Sequence, residues 1–151
     1  MQEPMQGTLV SLCVSKKRGE KKVPRISGYL VQGRGLRGDG HARGGPRQVS
    51  LLMQESIDRM RRKGASVDHG DFAENLVTSG VDLHKVRVGD RIRVGVAELQ
   101  VTMIGKECHA PCSIFYQVGF CIMPDEGVFC TVERPGPVHA GDPVTVLPGR
   151  G

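Results

Sequence analysis

The residues best suited to chemistry lie in one stretch, Gly105–Phe129, which holds three of the five cysteines. These are Cys108, Cys112 and Cys121, and His109 directly follows the first of them. Thiolates and imidazoles are ligands for soft metals, and the thiolate is also the nucleophilic form of cysteine. The stretch therefore predicts a site for a metal ion or for a transferable sulfur atom.

Three interpretations of this stretch stay open on spacing alone. Structural zinc would need four Cys or His ligands, here Cys108, His109, Cys112 and Cys121, but the first two cysteines lack the common two-residue spacing and no second pair follows. Alternatively, the thiols are partly buried and inert. In the third interpretation Cys112 is a functional thiolate, favoured by the positive groups of Lys106 and His109 nearby in the sequence.

A second candidate site is the glycine-rich stretch Gly33–Arg47, whose six glycines and one proline argue against regular structure. Backbone N–H groups and guanidinium forks in such a loop can bind an anion. The stretch is neither a Walker loop nor a dinucleotide fingerprint. Composition leaves a ligand-binding loop and a plain surface loop equally open. The charged and imidazole side chains between the glycines are those of Arg34, Arg37, Asp39, His41, Arg43 and Arg47.

The elements that must position these stretches are mostly short strands. Apolar runs and apolar–polar alternation predict strands at the residues given below, and one helix is predicted at Gln54–Lys63, ending at Gly64. Many short strands with one helix predict a mainly β, single-domain barrel with one or two short helices. Cys13 and Cys130 fall within strands and are predicted to be core residues. The predicted strands are Thr8–Ser15, Ile26–Gln32, Gln48–Leu52, several between Val86 and Gly105, and two near the C-terminus on either side of a turn at Pro135–Gly136.

The stretch Asp71–Gly80 is predicted to be short and rich in turns, with Phe72 and Leu76 anchored in the core. Glu74 and Asn75 are its polar candidates. The Asn75 amide is suited to bonding backbone groups and also to donating to a ligand, and the first interpretation is favoured.

Composition limits the class of protein. With 151 residues, 38% hydrophobic and 25% charged, the chain is predicted to fold as one globular domain over residues 5–148. It has no apolar run long enough for a membrane span and no signal-peptide pattern. The odd number of cysteines is typical of a protein in a reducing compartment. A cytoplasmic location without membrane contact is therefore expected. A net charge of +5 favours an anionic partner, but 4% aromatic residues and no Trp make nucleic acid an unfavoured one.

A series of short motifs, in order, resembles the MOSC domain, which is found at the C-terminus of molybdenum cofactor sulfurases and in small stand-alone bacterial proteins. The resemblance covers about residues 5 to 148 and implies a β-rich, barrel-like fold and a link to the molybdenum cofactor (molybdopterin), a phosphorylated pterin dithiolene that holds the metal. The motifs are G-D-G-H-A, R-Q-V-S-L-L, G-D-F-A-E-N-L, V-G-D-R-I-R-V-G, I-G-K-E-C-H-x-x-C, M-P-D-E-G-V-F and G-D-P-V.

The resemblance also implies roles for particular residues. The family's cysteine matches Cys112 best, with Cys108 and Cys121 as additional thiols that would also be metal ligands. Cofactor-binding positions would line one cleft, and Arg43 and Lys106 add positive charge to it. These expected cofactor-binding residues are Asp39, His41, Arg43, Arg47, Glu74, Asn75 and Lys106.

The expected function is therefore sulfur transfer or cofactor binding through the Cys112 thiolate. Alternatives are a molybdenum cofactor-dependent reductase of N-hydroxylated compounds, a non-catalytic cofactor carrier and a small zinc-binding β domain. No pyridoxal-phosphate domain is expected on this chain, so sulfur would come from a donor protein. Expected partners are the cofactor with its biosynthetic and acceptor enzymes, a sulfur donor or redox protein, and a second copy of the chain in a homo-oligomer.

Overall fold

The fold is known from a computed structural model, which describes residues 5–15, 21–40, 44–105 and 126–149. Within these ranges there are eleven strands, one α-helix and one 3₁₀ turn at Leu83–Lys85. In chain order they are β1 (Met5–Val14), β2 (Val23–Arg25), β3 (Ser27–Val31), β4 (Gly35–Leu36), β5 (Val49–Met53), α1 (Gln54–Arg62), β6 (Leu76–Ser79), β7 (Arg91–Val94), β8 (Ala97–Ile104), β9 (Val128–Arg134), β10 (Gly136–His139) and β11 (Pro143–Leu147).

In the described part of the chain, seven strands close into a barrel in the order β11-β7-β8-β9-β5-β6-β1, because β1 also pairs with β11. The closing register places Met5 opposite Val146. Among the described strands only the β5–β6 pair is parallel, and α1 forms part of the crossover between these two strands. Strand β2 continues the sheet from the second half of β1, and β10-β3-β4 forms a small separate sheet.

Two apolar cores account for the pattern of apolar residues in the strands and in the helix. Inward-facing side chains of successive strands fill the barrel, among them Leu9, Leu51 and Leu99. The second core lies between the outside of the barrel wall and α1. Ile57 and Met60 of α1 belong to it and are fully buried. Both come from one face of the helix, as their three-residue spacing predicts. The helix ends before Gly64, whose φ of +102° favours glycine.

The predicted mainly β barrel is confirmed, and so are the helix and the core positions of Cys13 and Cys130. The stretch predicted to be rich in turns contains a barrel strand, β6. Its first three residues are all buried, so it lacks the alternation by which a half-exposed strand is recognised. His69 lies in a polar part of the sequence but is half-buried, and its Nε2 lies 2.5 Å from Oε1 of Gln54.

The predicted turn at Pro135–Gly136 is the point where the chain changes sheets. Strand β9 ends at Arg134 in the barrel, and β10 begins at Gly136, opposite Leu30 of β3. The two strands therefore do not form a hairpin with each other. Similarly, the strand predicted from Val86 begins at Arg91, because residues before it form the 3₁₀ turn and a connection.

Candidate functional site

The predicted cysteine site lies outside the described residues. Cys108, Cys112, Cys121, Lys106 and His109 all fall within 106–125, and two residues of the glycine-rich stretch, His41 and Arg43, fall within 41–43. Their roles stay predictions. The four side chains of the alternative zinc site belong to the same undescribed range.

The two ends of the cysteine stretch are fixed next to each other in the barrel wall. Strands β8 and β9 pair up to Ile104 and Val128, and the N–H of Gly105 donates to the carbonyl oxygen of Gly127 at 2.6 Å. The stretch thus leaves and re-enters the barrel at the same point of the wall, at the β8–β9 hairpin.

Glu126 anchors the second end of that stretch to the helix. Its Oε1 accepts a hydrogen bond from the buried hydroxyl of Ser56 at 2.7 Å and lies 3.1 Å from Nε2 of His84. Its Oε2 forms an ion pair with Arg59. In the sequence, Arg59 is one of the basic residues in the last turn of α1, where they suit the helix dipole, and nothing in the local pattern links it to a residue 67 positions away.

Beside this cluster is a cleft of about 370 Å³ between α1 and the turn before the 3₁₀ segment. It combines charged groups of both signs with an apolar floor. The residues lining it are Met53, Glu55, Ser56, Arg59, Gly80, Val81, Asp82 and His84. Sequence reasoning missed this cleft because its walls come from segments far apart in the chain.

One residue of β9, Val132, forms hydrogen bonds at both ends of the glycine-rich stretch, with Gly33 at its start and with Gln48 directly after it. The N–H of Gly33 donates to the Val132 carbonyl oxygen at 3.2 Å, and the Val132 N–H donates to Oε1 of Gln48 at 2.9 Å. Gln48 also donates from Nε2 to the carbonyl oxygen of Gly45 at 3.0 Å. Arg47, between these bonded residues, is exposed. The prediction that this stretch lacks regular structure is wrong for Gly35–Leu36, which form β4 and pair with β3. The described ends of the stretch, which form the loop base, are fixed at Val132.

The same loop base contacts the strand that leads into the cysteine stretch. The Thr102 hydroxyl of β8 bonds to the carbonyl oxygen of Pro46, and Thr102 is three residues before Gly105. The position of Arg47 is thereby fixed relative to the point where the cysteine stretch begins.

Asp39 is buried and bonded on several sides. Its Oδ1 lies 2.7 Å from Nζ of Lys22 and accepts the N–H of Ser15 at 2.9 Å, and the Asn75 side chain also hydrogen-bonds this carboxylate. Burial alone would raise the pKa of Asp39, but the bonds from Lys22 and Ser15 outweigh it and hold the pKa below its usual value. Lys22 is buried, although it stands at the end of a run of basic residues in the sequence, a pattern typical of a solvated loop.

Asn75 joins three separate segments of the barrel. Its Oδ1 accepts the N–H of Ser50 at 3.0 Å, and its Nδ2 donates to the carbonyl oxygen of Cys13 at 3.1 Å. The predicted bonding of backbone groups is confirmed. Any contact of Asn75 with a ligand stays a prediction.

Glu74 is fully buried and closes the turn before β6. Its two carboxylate oxygens accept the N–H groups of Gly70 at 3.0 Å and Phe72 at 3.1 Å. Burial raises the pKa of Glu74 to about 7, against the opposing effect of those hydrogen bonds and with a smaller contribution from the nearby Asp71.

Asp39 and Asn75 are hydrogen-bonded to each other and Glu74 precedes Asn75 in the chain, so these three buried residues support the segments around them. Arg47, by contrast, is exposed. Within residues 5–15, 21–40, 44–105 and 126–149, no group of three His, Cys, Asp or Glu side chains could hold a metal ion. Burial raises the pKa of Cys13 to about 12 and also raises that of Cys130, so neither thiol is activated.

The class of protein is a closed, mainly β barrel. One helix lies in its parallel crossover, and a cysteine-rich stretch of sequence connects two neighbouring wall strands. Residues 38–145 match the MOSC domain. Because this match covers more than half of the sequence, the chain belongs to the MOSC domain family. No curated protein matches the sequence significantly.

Solved structures share the fold. The YuaD protein from Bacillus subtilis superposes with a TM-score of 0.80 at 21% identity, covering 99% of this chain and 100% of that one. YiiM from Geobacillus stearothermophilus gives 0.68 at 21% identity over 93% of this chain and 75% of that one, and YiiM from Escherichia coli gives 0.61 at 22% over 97% and 70%. In the described part of the chain, no helix has the length and apolar character to cross a membrane.

Proposed function

We propose that this chain handles the molybdenum cofactor and acts through the thiolate of Cys112, as a sulfur carrier or as a cofactor binder. The observation that carries the proposal is the MOSC match over residues 38–145, which includes residues 38–47 of the glycine-rich stretch and Cys112. When bound, the cofactor would supply a metal centre able to accept sulfur or electrons.

The described residues fit an anionic cofactor at the loop base. Arg47 is exposed on a backbone fixed by Gln48 and Thr102, and its guanidinium has no partner among the described residues. A planar guanidinium on a fixed backbone suits a phosphate group, which it can bind through two hydrogen bonds. Arg47, His41, Arg43 and Lys106 would hold the cofactor's anionic end, while Cys112 would carry a sulfur atom or bind the metal.

Asp39, Glu74 and Asn75 contribute to the same proposal by fixing the loops around that site. Asp39 lies two residues before His41 and is bonded to Lys22, so the buried pair fixes the backbone from which the loop continues. Cys108 and Cys121 would be neighbouring thiols or further metal ligands.

The test uses protein purified from cells that synthesise the cofactor. Wild type is expected to retain molybdenum and pterin or to carry cyanide-labile sulfur, and Cys112→Ser should lose the retained species. Cys108→Ser and Cys121→Ser are the matched controls and should keep most of it. If Cys112→Ser is indistinguishable from wild type in both assays, Cys112 does not have this role.

The same preparation separates the alternatives. Turnover of an N-hydroxylated base with a reductant would indicate a reductase, and cofactor retained without turnover would indicate a carrier. Stoichiometric zinc that is lost on changing any one of Cys108, His109, Cys112 or Cys121 would indicate the zinc-binding domain instead.

A further inference from the structure

The cleft between α1 and the turn before the 3₁₀ segment is held in shape by hydrogen bonds among its own residues. The Sδ atom of Met53, in its floor, accepts the N–H of Leu83 at 3.2 Å. Oε2 of Glu55 accepts the N–H of Gly80 at 2.9 Å, which bonds the helix to the segment that forms the other wall. A ligand therefore meets a preformed site, and the volume of about 370 Å³ is in the range of small-molecule sites.

The floor of the cleft is apolar. Met53 and Val81 both belong to the barrel core and are almost fully buried, yet both line the cleft. The bottom of the cleft is thus the place where the barrel core can be reached from outside. An apolar group placed against these two side chains leaves water, which favours binding.

The charged groups at the cleft are mostly negative. Glu55 and Asp82 line it, and Glu126 lies beside it, bonded to the lining residue Ser56. The arginine of the lining, Arg59, is ion-paired with Glu126. Glu55 is in the first turn of α1 and offsets the partial positive charge of the helix N-terminus. The cleft therefore has an excess of negative charge, which favours a cationic ligand.

Both lining carboxylates can accept further hydrogen bonds. Glu55 accepts one backbone N–H, that of Gly80. Oδ1 of Asp82 accepts the backbone N–H of His84 at 3.0 Å and lies 3.2 Å from Nδ1 of the same residue. In the part of the chain that the structure describes, neither carboxylate forms an ion pair with a lysine or arginine. Since a carboxylate offers about four acceptor sites, each can take an N–H of an ammonium group.

We propose that this cleft binds a small organic cation, an ammonium group attached to a compact apolar body. The ammonium group donates to Glu55 and Asp82, and the apolar body covers Met53 and Val81. This ligand is distinct from the molybdenum cofactor and does not involve Cys112. The inference therefore goes beyond the proposed function and does not rest on it.

The experiment titrates the protein with benzylammonium chloride at constant ionic strength and follows the methyl resonances of Met53 and Val81 by nuclear magnetic resonance. A pH of about 8 keeps the amine protonated and leaves imidazoles mostly uncharged. We expect saturable shifts of both methyl resonances. Benzyl alcohol, the neutral isostere, should bind at least about five-fold more weakly, and benzoate should leave these resonances unshifted.

Variants of the two carboxylates test their part in binding. Glu55→Gln and Asp82→Asn each remove a charge but keep an oxygen that can accept the backbone N–H bonded in wild type. Because both positions are in contact with solvent, each variant should weaken benzylammonium binding only about three-fold, and the double variant about ten-fold. Glu133→Gln removes an exposed carboxylate of β9 outside the cleft and is the matched control, expected to change binding less than about 1.5-fold.

The inference is overturned if benzylammonium produces no saturable shifts at Met53 and Val81, or if benzyl alcohol binds as tightly. It is also overturned if Glu133→Gln weakens binding as much as Asp82→Asn, since the effect would then be one of net charge. None of these outcomes involves the cofactor or Cys112. Failure here leaves the proposed function standing, and loss of both cofactor and labile sulfur would refute that function without touching the cleft.

Discussion

Nζ of Lys22 lies 2.7 Å from Oδ1 of Asp39, and the two side chains are 1% and 0% exposed. The backbone N–H of Lys22 donates to the carbonyl oxygen of Gly70 at 2.9 Å, and Ser15 donates to the Asp39 carboxylate. Lys22 therefore links the glycine-rich stretch to the turn before β6, and Ser15, directly after β1, is bonded to the same carboxylate. The stretch and the turn contain two of the motifs on which the MOSC resemblance rests, G-D-G-H-A and G-D-F-A-E-N-L.

Removing one member of this pair should be strongly destabilising. Lys22→Met leaves the Asp39 carboxylate buried without its cation, and we expect a loss of about 3–5 kcal/mol in the free energy of unfolding. Lys21→Met, at the exposed neighbouring position, should cost less than about 0.5 kcal/mol. Urea denaturation measures both. Equal and small losses would show that the pair contributes little to stability.

The double variant Lys22→Met/Asp39→Leu tests whether the loss comes from an unpaired charge. It should recover part of the stability lost in Lys22→Met, because two apolar side chains carry no desolvation penalty for a charge, while the buried N–H of Ser15 loses its acceptor. Its retention of the cofactor should nevertheless fall if the pair fixes the glycine-rich stretch. Full stability together with unchanged cofactor retention would show that the function of the stretch does not depend on the pair.

Glu74 gives the stability a distinct pH dependence. Its folded-state pKa of about 7 lies above the ordinary value of 4.5, so between these values the folded chain binds a proton that the unfolded chain has lost. Its contribution is therefore fully present below pH 4.5 and is lost as pH rises toward 7, and the loss should reach a few kcal/mol.

The measurement compares the pH profile of unfolding free energy in wild type and Glu74→Gln. The glutamine keeps one acceptor for the N–H groups of Gly70 and Phe72, so it should be less stable than wild type at pH 5 and should lack the decline between pH 4.5 and 7. Parallel profiles in the two proteins would mean that Glu74 is already ionised in that range.

Gly70 is required by contact as well as by conformation. Its φ is +93°, and a Cβ added there would lie 2.0 Å from the carbonyl oxygen of Lys22. Because that oxygen belongs to the backbone, Gly70→Ala must separate the two segments, and we expect a loss of more than about 3 kcal/mol. Gly44→Ala, where a Cβ meets nothing within 4 Å, should cost under about 1 kcal/mol by thermal or urea denaturation.

The barrel could be predicted because most of its strands carry a local signal. Val144 and Val146 of β11 point inward and alternate with outward residues, as the sequence pattern indicates. Strand β6 carries no such signal, since Leu76, Val77 and Thr78 are all buried. Its place in the wall is set by parallel pairing with β5, which only the closed barrel determines.

The residue types of the candidate site could be predicted from the sequence, but the contacts between its segments could not. The glycine-rich loop was visible from composition, but its attachment to Val132 depends on where β5 stops pairing, which no local pattern reveals. Lys22 stands at the end of a run of lysines and arginines that is typical of a solvated loop. Only the fold shows that its side chain turns inward to Asp39.

The Glu126 cluster leads to the last prediction. Glu126 lies at the end of the cysteine stretch and is held by Ser56, Arg59 and His84, of which the Ser56 hydroxyl is buried. Glu126→Ala removes the acceptor for that hydroxyl and the partner of Arg59, and we expect a loss of about 1–3 kcal/mol. Since Arg59 is 40% exposed, solvent screening should limit its share.

A double-mutant cycle isolates the contribution of the Arg59–Glu126 pair. Arg59→Ala and Glu126→Ala are measured alone and together by urea denaturation, and we expect a coupling energy of about 0.5–1 kcal/mol. Asp58→Ala on the same helix, combined with Glu126→Ala, is the control pair and should be additive within about 0.5 kcal/mol. If the control pair couples as strongly as Arg59 and Glu126, the coupling is not specific to the Arg59–Glu126 ion pair. A coupling specific to Arg59 would instead show that α1 itself holds the end of the cysteine stretch, as the contacts to Glu126 imply.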